Sequence, residues 1–223
     1  MYNILKNSLL FRGLSESQIQ HLLGFIDTQT QTYEKNTIVF MEEEDCNGIA
    51  IVLKGAVELQ TIFPSGKVIT HMELGESEVF AEAMIFSTHN QFPVTVQTKT
   101  PTTLLLIKKE KLVHGLLHHP ILLENFLMLL SNKLYQMNAK VKILSLSTIR
   151  KKIAMYLLGE ARQKKTNRFE IPLNRKRLSE HLAVERPSLS RELIHMKELG
   201  WIDFEQSRFT ILDMEALEDE LFR

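Results

Sequence analysis

Residues 174–202 read NRKRLSEHLAVERPSLSRELIHMKELGWI and contain two helical patterns on either side of a tight turn. Asn174 is a good cap for the first pattern, residues 175–181, because its side chain can accept a hydrogen bond from a first-turn N–H group. Pro187 stands in the first turn of the second pattern, where a missing N–H costs little. Gly200 ends that pattern, since glycine readily adopts the left-handed conformation found after helices. The stretch therefore predicts helix, three-residue turn and helix.

The segments around this stretch complete a domain. Ile149–Gln163 is an amphipathic helical pattern with a basic start, and Phe169–Leu173 is a short strand pattern. After the second helix, Trp201–Phe204 and Phe209–Leu212 pair around the turn Glu205–Arg208. Helix, turn, helix and hairpin in this order predict a winged helix-turn-helix, which places its second helix in the major groove of DNA.

The second helix has two faces. Its apolar side chains recur at helical spacing and should face the core of the domain: Leu189, Leu193 and Met196. Its first turns present arginines, which can make two hydrogen bonds to guanine O6 and N7. Glu185 can cap this helix or accept a hydrogen bond from cytosine N4, and capping is the favoured role. We predict DNA contacts from Arg186, Ser188, Ser190, Arg191, Arg175, Lys176 and Arg208.

Charge is distributed unevenly along the chain, although the formal net charge is zero. Residues 147–212 hold 14 Lys and Arg against 8 Asp and Glu, whereas residues 1–146 hold 12 against 14. The last eleven residues hold one Arg and five acids. A basic block between two acidic ones indicates that one part of the protein faces a polyanion such as DNA.

The first half of the chain has a different character. Residues 8–26 repeat apolar positions with a helical period, and Ser15 and Gln18 fit a capping box. Short β-branched or alternating segments follow, separated by turn residues such as Gly55 and Pro64-Ser65-Gly66. Strands of this length and spacing predict a sandwich, barrel or jelly roll. The strand segments are Thr37–Met41, Ile49–Leu53, Val57–Phe63, Val68–Met72, Val94–Thr98 and Leu104–Ile107.

A long helix is predicted for residues 120–146, and Pro120 can begin it because proline fits the first helical position. Apolar residues recur along this segment at alternating spacings of four and three, as in a coiled coil. A small domain rarely needs so long an apolar stripe for itself, so a parallel homodimer seam is favoured over packing within one chain. The predicted seam is Leu123, Leu127, Leu130, Leu134, Val141 and Leu144, with Met137 in the same stripe.

This order of parts resembles the CRP/FNR family of bacterial transcription regulators over essentially the whole chain. The resemblance rests on Ile51–Gly55, Val79–Ala83, Pro120 and the helix-turn-helix segment Leu178–Leu193. It implies an α+β fold with an N-terminal β-roll of the cyclic-nucleotide-binding, jelly-roll type, a dimerisation helix and a winged helix-turn-helix. The three parts are expected at residues 1–119, 120–146 and 147–223.

The resemblance also implies an effector pocket between the β-roll and the long helix. In cyclic-AMP-binding members of the family a Gly-Glu pair is followed ten residues later by an arginine, but here Glu82 follows Ala81, and Phe92 replaces the arginine. A phenyl ring cannot make the charged hydrogen bonds that a cyclic phosphate needs, which argues against cyclic AMP. The predicted pocket suits an apolar or planar ligand and consists of Phe80, Glu82, Phe92, Tyr135, Met137 and Asn138.

Several alternatives stay open at this point. A haem-dependent gas sensor of the same family is one, with His71, His89, Met84 or Met137 as candidate iron ligands. A ligand-independent DNA binder is another, and so is a regulatory module whose winged helix binds protein. An iron–sulfur sensor is excluded, because the single cysteine, Cys46, cannot supply its ligands.

No arrangement of residues points to catalysis or to a metal site, so we do not expect an enzyme. We expect a cytoplasmic homodimer on a palindromic DNA operator, with RNA polymerase as a further partner and no membrane segment, because no apolar stretch approaches 18 residues. The effector, the operator sequence, the target genes and the sign of regulation are not specified by the sequence.

Overall fold

The computed structural model describes residues 1–222. The chain forms two compact units, residues 1–133 and the residues from 134 onward. The boundary between the units falls inside a single long helix, α4, which runs from Pro120 to Leu144. This helix was predicted for residues 120–146, so both of its ends lie within two residues of the expected positions.

The first unit contains two four-stranded antiparallel sheets behind a short helical start. The sheets have the strand orders β1-β8-β3-β6 and β2-β7-β4-β5, which confirms the predicted β-roll. Two helices, α1 (Tyr2–Asn7) and α2 (Glu16–Ile26), precede the sheets, and α3 (Lys109–His118) follows them. The strands are β1 (Gln29–Tyr33), β2 (Ile38–Phe40), β3 (Gly48–Lys54), β4 (Val57–Ile62), β5 (Val68–Leu74), β6 (Val79–Phe80), β7 (Thr95–Thr98) and β8 (Thr102–Lys108).

Four elements of this unit were missed by the sequence analysis: α1, β1, β6 and α3. β1 reads QTQTY and is mostly exposed, so it has no apolar pattern of its own. It is ordered by its partner, because it pairs along its whole length with β8, from Gln29 opposite Leu106 to Tyr33 opposite Thr102. β6 has only two residues and pairs with the buried strand β3.

Capping and helix packing hold the N-terminal helices in place. The predicted capping box is present, because Ser15 Oγ accepts from Gln18 N at 3.3 Å and Gln18 Oε1 accepts from Ser15 N at 2.8 Å. Helix α3 then packs closely on α2 through Gly115. A Cβ built on Gly115 would lie 2.7 Å from Ile26 Cγ2 and 3.1 Å from Leu122 Cδ2, so this close packing requires glycine.

The first half of α4 is anchored to the β-roll by a buried amide. Asn125 is 4% exposed, and its Nδ2 donates to the carbonyl oxygens of Leu10 at 3.1 Å and Arg12 at 2.8 Å. The apolar neighbours Phe126 and Leu129 are buried on the same side of the helix. Since a buried amide without partners would be costly, these two bonds fix the position of α4 along its axis.

The second unit is a helical domain with a three-stranded sheet of order β10-β11-β9. The predicted strand at 169–173 is shorter and begins one residue earlier than expected, and α8 was not predicted. The elements after α4 are α5 (Ile149–Lys164), β9 (Arg168–Glu170), α6 (Arg175–Leu182), α7 (Arg186–Glu198), β10 (Ile202–Glu205), β11 (Arg208–Ile211) and α8 (Met214–Phe222). Helix, turn, helix and hairpin follow in the predicted order, so the winged helix-turn-helix is confirmed.

We predict that Gly115→Ala lowers the free energy of unfolding by about 1–3 kcal/mol, because the added methyl group forces α2 and α3 apart. Gly24→Ala in α2 is the matched control, since nothing lies within 4 Å of its added Cβ. Alanine at that site should be neutral or stabilise by up to about 1 kcal/mol, following helix propensity. Urea unfolding of both variants measures the difference, and equal stabilities would contradict the packing argument.

Candidate functional site

The two helices of the helix-turn-helix are set by local signals. Asn174 caps α6 through its Oδ1, which accepts from the backbone N–H of Arg177 at 2.9 Å, as predicted. Ala183 then adopts a left-handed φ of 50°, which turns the chain sharply toward α7. The apolar face of α7 is completely buried, at 0% exposure for each of Leu189, Leu193 and Met196. This burial fixes which side chains of α7 face outward.

The start of α7 differs from the prediction in one respect. Glu185 occupies the N-cap position with an extended backbone, but its side chain makes no capping hydrogen bond, so the predicted role of Glu185 is wrong. Pro187 removes one of the first-turn N–H donors, and glutamate lacks the short side chain that good caps share. Helix α7 therefore begins with its first turn open to an external acceptor.

The outward face of α7 presents the predicted DNA-contact residues. Arg186 and Arg191 are exposed, and Ser188 and Ser190 are half-buried. Arg191 Nη2 donates to Ser188 Oγ at 3.3 Å, which links the two side chains along the helix. The guanidinium of Arg191 keeps most of its donors free for an external partner, since arginine carries five N–H groups.

A groove of about 530 Å³ lies at the start of α6, beside α7 and the turn of the hairpin. It brings together three of the predicted residues, Arg175, Lys176 and Arg186. Its other lining residues are Leu173, Asn174, Gln206 and Ser207. Three cations around one open groove, next to the first turn of a helix, form a surface suited to phosphate groups.

Arg175 has a second role inside the domain. Its guanidinium carbon lies 4.6 Å from the ring centroid of Phe204 and 5.1 Å from that of Phe209. Burial lowers the pKa of Arg175 from its ordinary value, although a guanidinium stays charged at neutral pH. The cation–π contacts tie α6 to the hairpin. In contrast, the side chain of Lys176 is 76% exposed, and its ion pair with Glu180 is long, at 4.0 Å, so it holds Lys176 weakly.

The hairpin contributes residues that the sequence analysis missed. Gln206 and Ser207 form its turn and line the groove with Arg186. Arg208, the predicted hairpin contact, is exposed but lies across from Glu205 in the strand register and shares a small cleft with Glu170 and Glu205. Its electrostatic surroundings are therefore less favourable for phosphate than those of Lys176. A turn between two predicted strands was the available signal for Gln206 and Ser207.

The long helix α4 exposes an apolar stripe. The stripe residues Leu123, Leu127, Leu134, Met137, Val141 and Leu144 are between 40 and 65% exposed. Leu130 differs, because it is half-buried against the β-roll core. So continuous an apolar surface on a helix at heptad spacing is typical of an interface.

The predicted effector residues fall into two groups. Phe80 and Phe92 are 2% and 3% exposed, and both rings contact Phe40, with centroid distances of 6.2 and 4.5 Å. Glu82 is also buried, and its Oε1 lies 2.5 Å from Lys133 Nζ. The remaining predicted residues lie beyond Lys133 on α4 and have exposed side chains: Tyr135, Met137 and Asn138.

The candidate haem ligands show no shared arrangement that favours iron. His71 is exposed on β5, and its Nε2 lies 2.8 Å from Thr61 Oγ1. The Nδ1 atom of His89 is hydrogen-bonded to the hydroxyl group of its neighbour Thr88. Within residues 1–222, no cluster of three or more His, Cys, Asp or Glu side chains is placed to hold a metal ion. Cys46 is buried, and burial raises the pKa of its thiol.

Comparison with known proteins gives consistent matches along the chain. The family model for the cyclic nucleotide-binding domain matches residues 30–119, and the model for the Crp-like helix-turn-helix domain matches residues 151–220. The chain is 25% identical to the anaerobic regulatory protein of Bacillus subtilis over 206 residues, which cover 89% of this chain and 85% of that protein. It is 24% identical to the CRP-like cAMP-activated global transcriptional regulator of Mycobacterium tuberculosis over 97% of this chain and 98% of that protein.

A solved structure extends this agreement to the fold. The catabolite activator protein of Thermus thermophilus superposes with a TM-score of 0.57 at 23% identity, covering 96% of this chain and 99% of that one. None of the helices in residues 1–222 has the length and apolar character to span a membrane. The two domain models occur in the order of the two folded units and together span most of the sequence. The chain therefore belongs to the CRP/FNR family of transcription regulators, which bind DNA and are not enzymes.

Proposed function

We propose that the protein acts as a homodimer on a palindromic DNA operator, with one α7 helix in each of two successive major grooves about 34 Å apart. The observation that carries this proposal is the division of α7 into a fully buried apolar face and an open first turn bearing arginines. Binding to chromosomal DNA would place the protein in the cytoplasm, with RNA polymerase as its protein partner.

Arg186 and Arg191 are the proposed base readers, because both are exposed near the start of α7 and arginine recognises guanine through two hydrogen bonds. Ser188 and Ser190 lie between them and contribute to base or phosphate contacts. Many relatives are expected to carry an acid where this chain has Pro187, which has no side-chain acceptor. The operator should therefore differ from theirs at the base pair that the acid would read.

Lys176, Arg175 and Arg208 are the proposed phosphate contacts, and they are not equivalent. Lys176 is exposed in the groove, whereas the guanidinium of Arg175 is held over Phe204 and Phe209. Arg208 faces two acidic neighbours across its cleft. We infer that Lys176 contributes the most freely adjustable of the three contacts, while Arg175 mainly keeps the hairpin in register with α6.

The proposed dimer forms along α4. Its stripe extends over about three heptads. Pairing two such helices would remove apolar side chains from water, which stabilises the dimer by roughly 25 cal/mol per Å² of buried apolar surface. A polar partner helix could not provide this coverage. A second copy of the same stripe is complementary to it, as heptad seams are.

A small-molecule effector, if one controls the protein, would bind in the predicted pocket, which consists of Phe80, Glu82, Phe92, Tyr135, Met137 and Asn138. Cyclic AMP does not fit this set, since Phe92 stands where a phosphate-binding arginine would be needed and its ring is buried against Phe40. The burial of Phe80 and Phe92 favours the second candidate, a DNA binder that needs no ligand. An absorption spectrum of freshly purified protein tests the haem alternative, because a Soret band would support it.

We predict that Arg191→Ala weakens operator binding by about ten- to a hundredfold per half-site, the loss expected for one bidentate guanine contact. Arg162→Ala is the matched control, because Arg162 is an exposed arginine of the same unit that pairs with Glu218 on α8. Fluorescence anisotropy with a duplex selected by the wild-type protein from a random-sequence pool measures both. Wild-type affinity in Arg191→Ala would contradict the assignment.

Lys176→Ala should give a different result. Its loss should weaken binding to all duplexes by a similar factor and reduce the slope of log K against log salt by about one per half-site. Titrations at several salt concentrations on selected and scrambled duplexes measure this. A change in sequence preference without a change in slope would show that Lys176 reads a base instead.

We predict that Leu134→Glu converts the dimer to a monomer, because two carboxylates would face each other in the apolar seam. Ala139→Glu is the control, since Ala139 is exposed and five residues further along α4, on the side away from the stripe. Sedimentation equilibrium gives the masses. Dimeric Leu134→Glu at micromolar concentration would refute the seam.

A further inference from the structure

Glu82 is a buried carboxylate, and within residues 1–222 its Oε2 has no hydrogen-bond partner. It is 4% exposed and directly follows Ala81, whose φ of 69° lies in the left-handed region that favours glycine. An alanine in this region is strained relative to glycine. A buried carboxylate of this kind is costly unless a cation neutralises it.

Lys133 on α4 supplies that cation from within the first unit. Its Nζ lies 2.5 Å from Glu82 Oε1 and donates to the carbonyl oxygen of Val79 at 3.0 Å. Val79 belongs to β6 and Glu82 follows it, so both acceptors lie in one short segment of the β-roll. The lysine thus joins α4 to the segment that resembles the phosphate-binding part of cyclic-AMP-binding relatives.

This ion pair is the second polar tie between α4 and the β-roll. Asn125 makes the first tie through Leu10 and Arg12, eight residues earlier, which is about 12 Å along the helix axis. Two polar ties at separate points fix both the position and the rotation of α4. The rotation matters because the apolar stripe occupies another face of the same helix.

The aromatic residues of the predicted pocket pack on one another and are buried. Phe92 stacks on Phe40 with an interplanar angle of 12°, and Phe80 meets Phe40 at 68°. An anionic ligand would find a phenyl ring at position 92 and a lysine whose charge is already paired with Glu82. To bind there, it would have to break an ion pair whose carboxylate is buried, although the lysine side chain is 40% exposed, and this raises the energetic cost of ligand binding.

We propose that the Glu82–Lys133 ion pair replaces a small-molecule effector. It holds α4 in the orientation that supports operator binding, so the bare dimer is competent to bind DNA without a ligand. Lys133 is then a positioning residue that determines the effector response of the β-roll. This inference rests on the proposed function as a homodimeric operator-binding protein and specifies how its β-roll is controlled.

The test compares the wild type with Lys133→Met and with the double variant Glu82→Gln/Lys133→Met. Native mass spectrometry first identifies dimers that carry no small molecule. Thermal unfolding then reports stability, and anisotropy reports affinity for the duplex selected from a random-sequence pool. Lys111→Met is the matched control, because Lys111 pairs with Asp27 at 3.3 Å and its side chain is about as exposed as that of Lys133, at 44% against 40%. The two pairs differ in the carboxylate, since Asp27 is 73% exposed and Glu82 is buried.

The bare wild-type dimer should bind the operator. Lys133→Met should lower the melting temperature, because Glu82 loses its counter-charge, and should weaken operator binding by at least about tenfold, a usual size for coupling between sites. The double variant should regain the melting temperature, because no buried charge is left unpaired, but not the operator affinity. Lys111→Met should change neither quantity appreciably.

A double variant with both wild-type stability and wild-type affinity would overturn the proposal, because the ion pair would then only stabilise the fold. The proposal also fails if the bare wild type binds no duplex and the low-molecular-weight fraction of a cell extract restores binding. If neither form of the wild type binds any duplex at low salt, the proposed function fails together with the inference. A double variant that behaves like the wild type, or restoration of binding by the extract fraction, would overturn only the inference and leave the proposed DNA-binding function intact.

Discussion

Helix α4 has to meet two physical requirements, and the organisation of the chain depends on both. One side of its first half is buried in the β-roll, where Asn125 donates two hydrogen bonds and Phe126 and Leu129 pack. The other side carries an apolar stripe that is left largely exposed by a single chain. Both faces are present in the part of α4 that belongs to the first unit, so a rotation of this part on the β-roll would turn Leu123 and Leu127 by the same angle. In the proposed homodimer, the anchoring of this part of α4 would therefore influence how the two stripes meet.

The DNA-binding unit divides one helix in a similar way. Burial of Leu189, Leu193 and Met196 is complete, so α7 cannot roll without exposing apolar surface. Burial of this face holds Arg186 and Arg191 outward, and Arg191 is further linked to Ser188 by a hydrogen bond. The cation–π contacts of Arg175 with Phe204 and Phe209 also fix the hairpin relative to α6. The groove is assembled from three elements, and each is held in place by packing behind it.

The parts that could be predicted from the sequence are those with local signals. The capping box at Ser15, the Asn174 cap, Pro187 near the start of α7 and the heptad spacing of α4 each depend on a few adjacent residues. β1 has no such signal, since its polar sequence becomes a strand only by pairing with β8. The groove residues Gln206 and Ser207 were missed for a similar reason, because they meet Arg186 only after the hairpin has folded.

The role of Lys133 could not be predicted from the sequence. This residue is one lysine in a helical pattern that also contains Lys140 and Lys142, and its spacing along the chain does not distinguish it from them. Lys133 and Glu82 are 51 residues apart in the sequence, and only the fold brings them within hydrogen-bonding distance. The sequence shows a retained acid and two separate departures from cyclic-AMP-binding relatives, which are a lost arginine and an alanine in place of glycine. The structure relates them, because a retained acid without its ligand needs a counter-charge from the protein. Because Phe92 cannot bind a phosphate, no anionic ligand is expected beside Glu82, and Lys133 can pair with Glu82 instead.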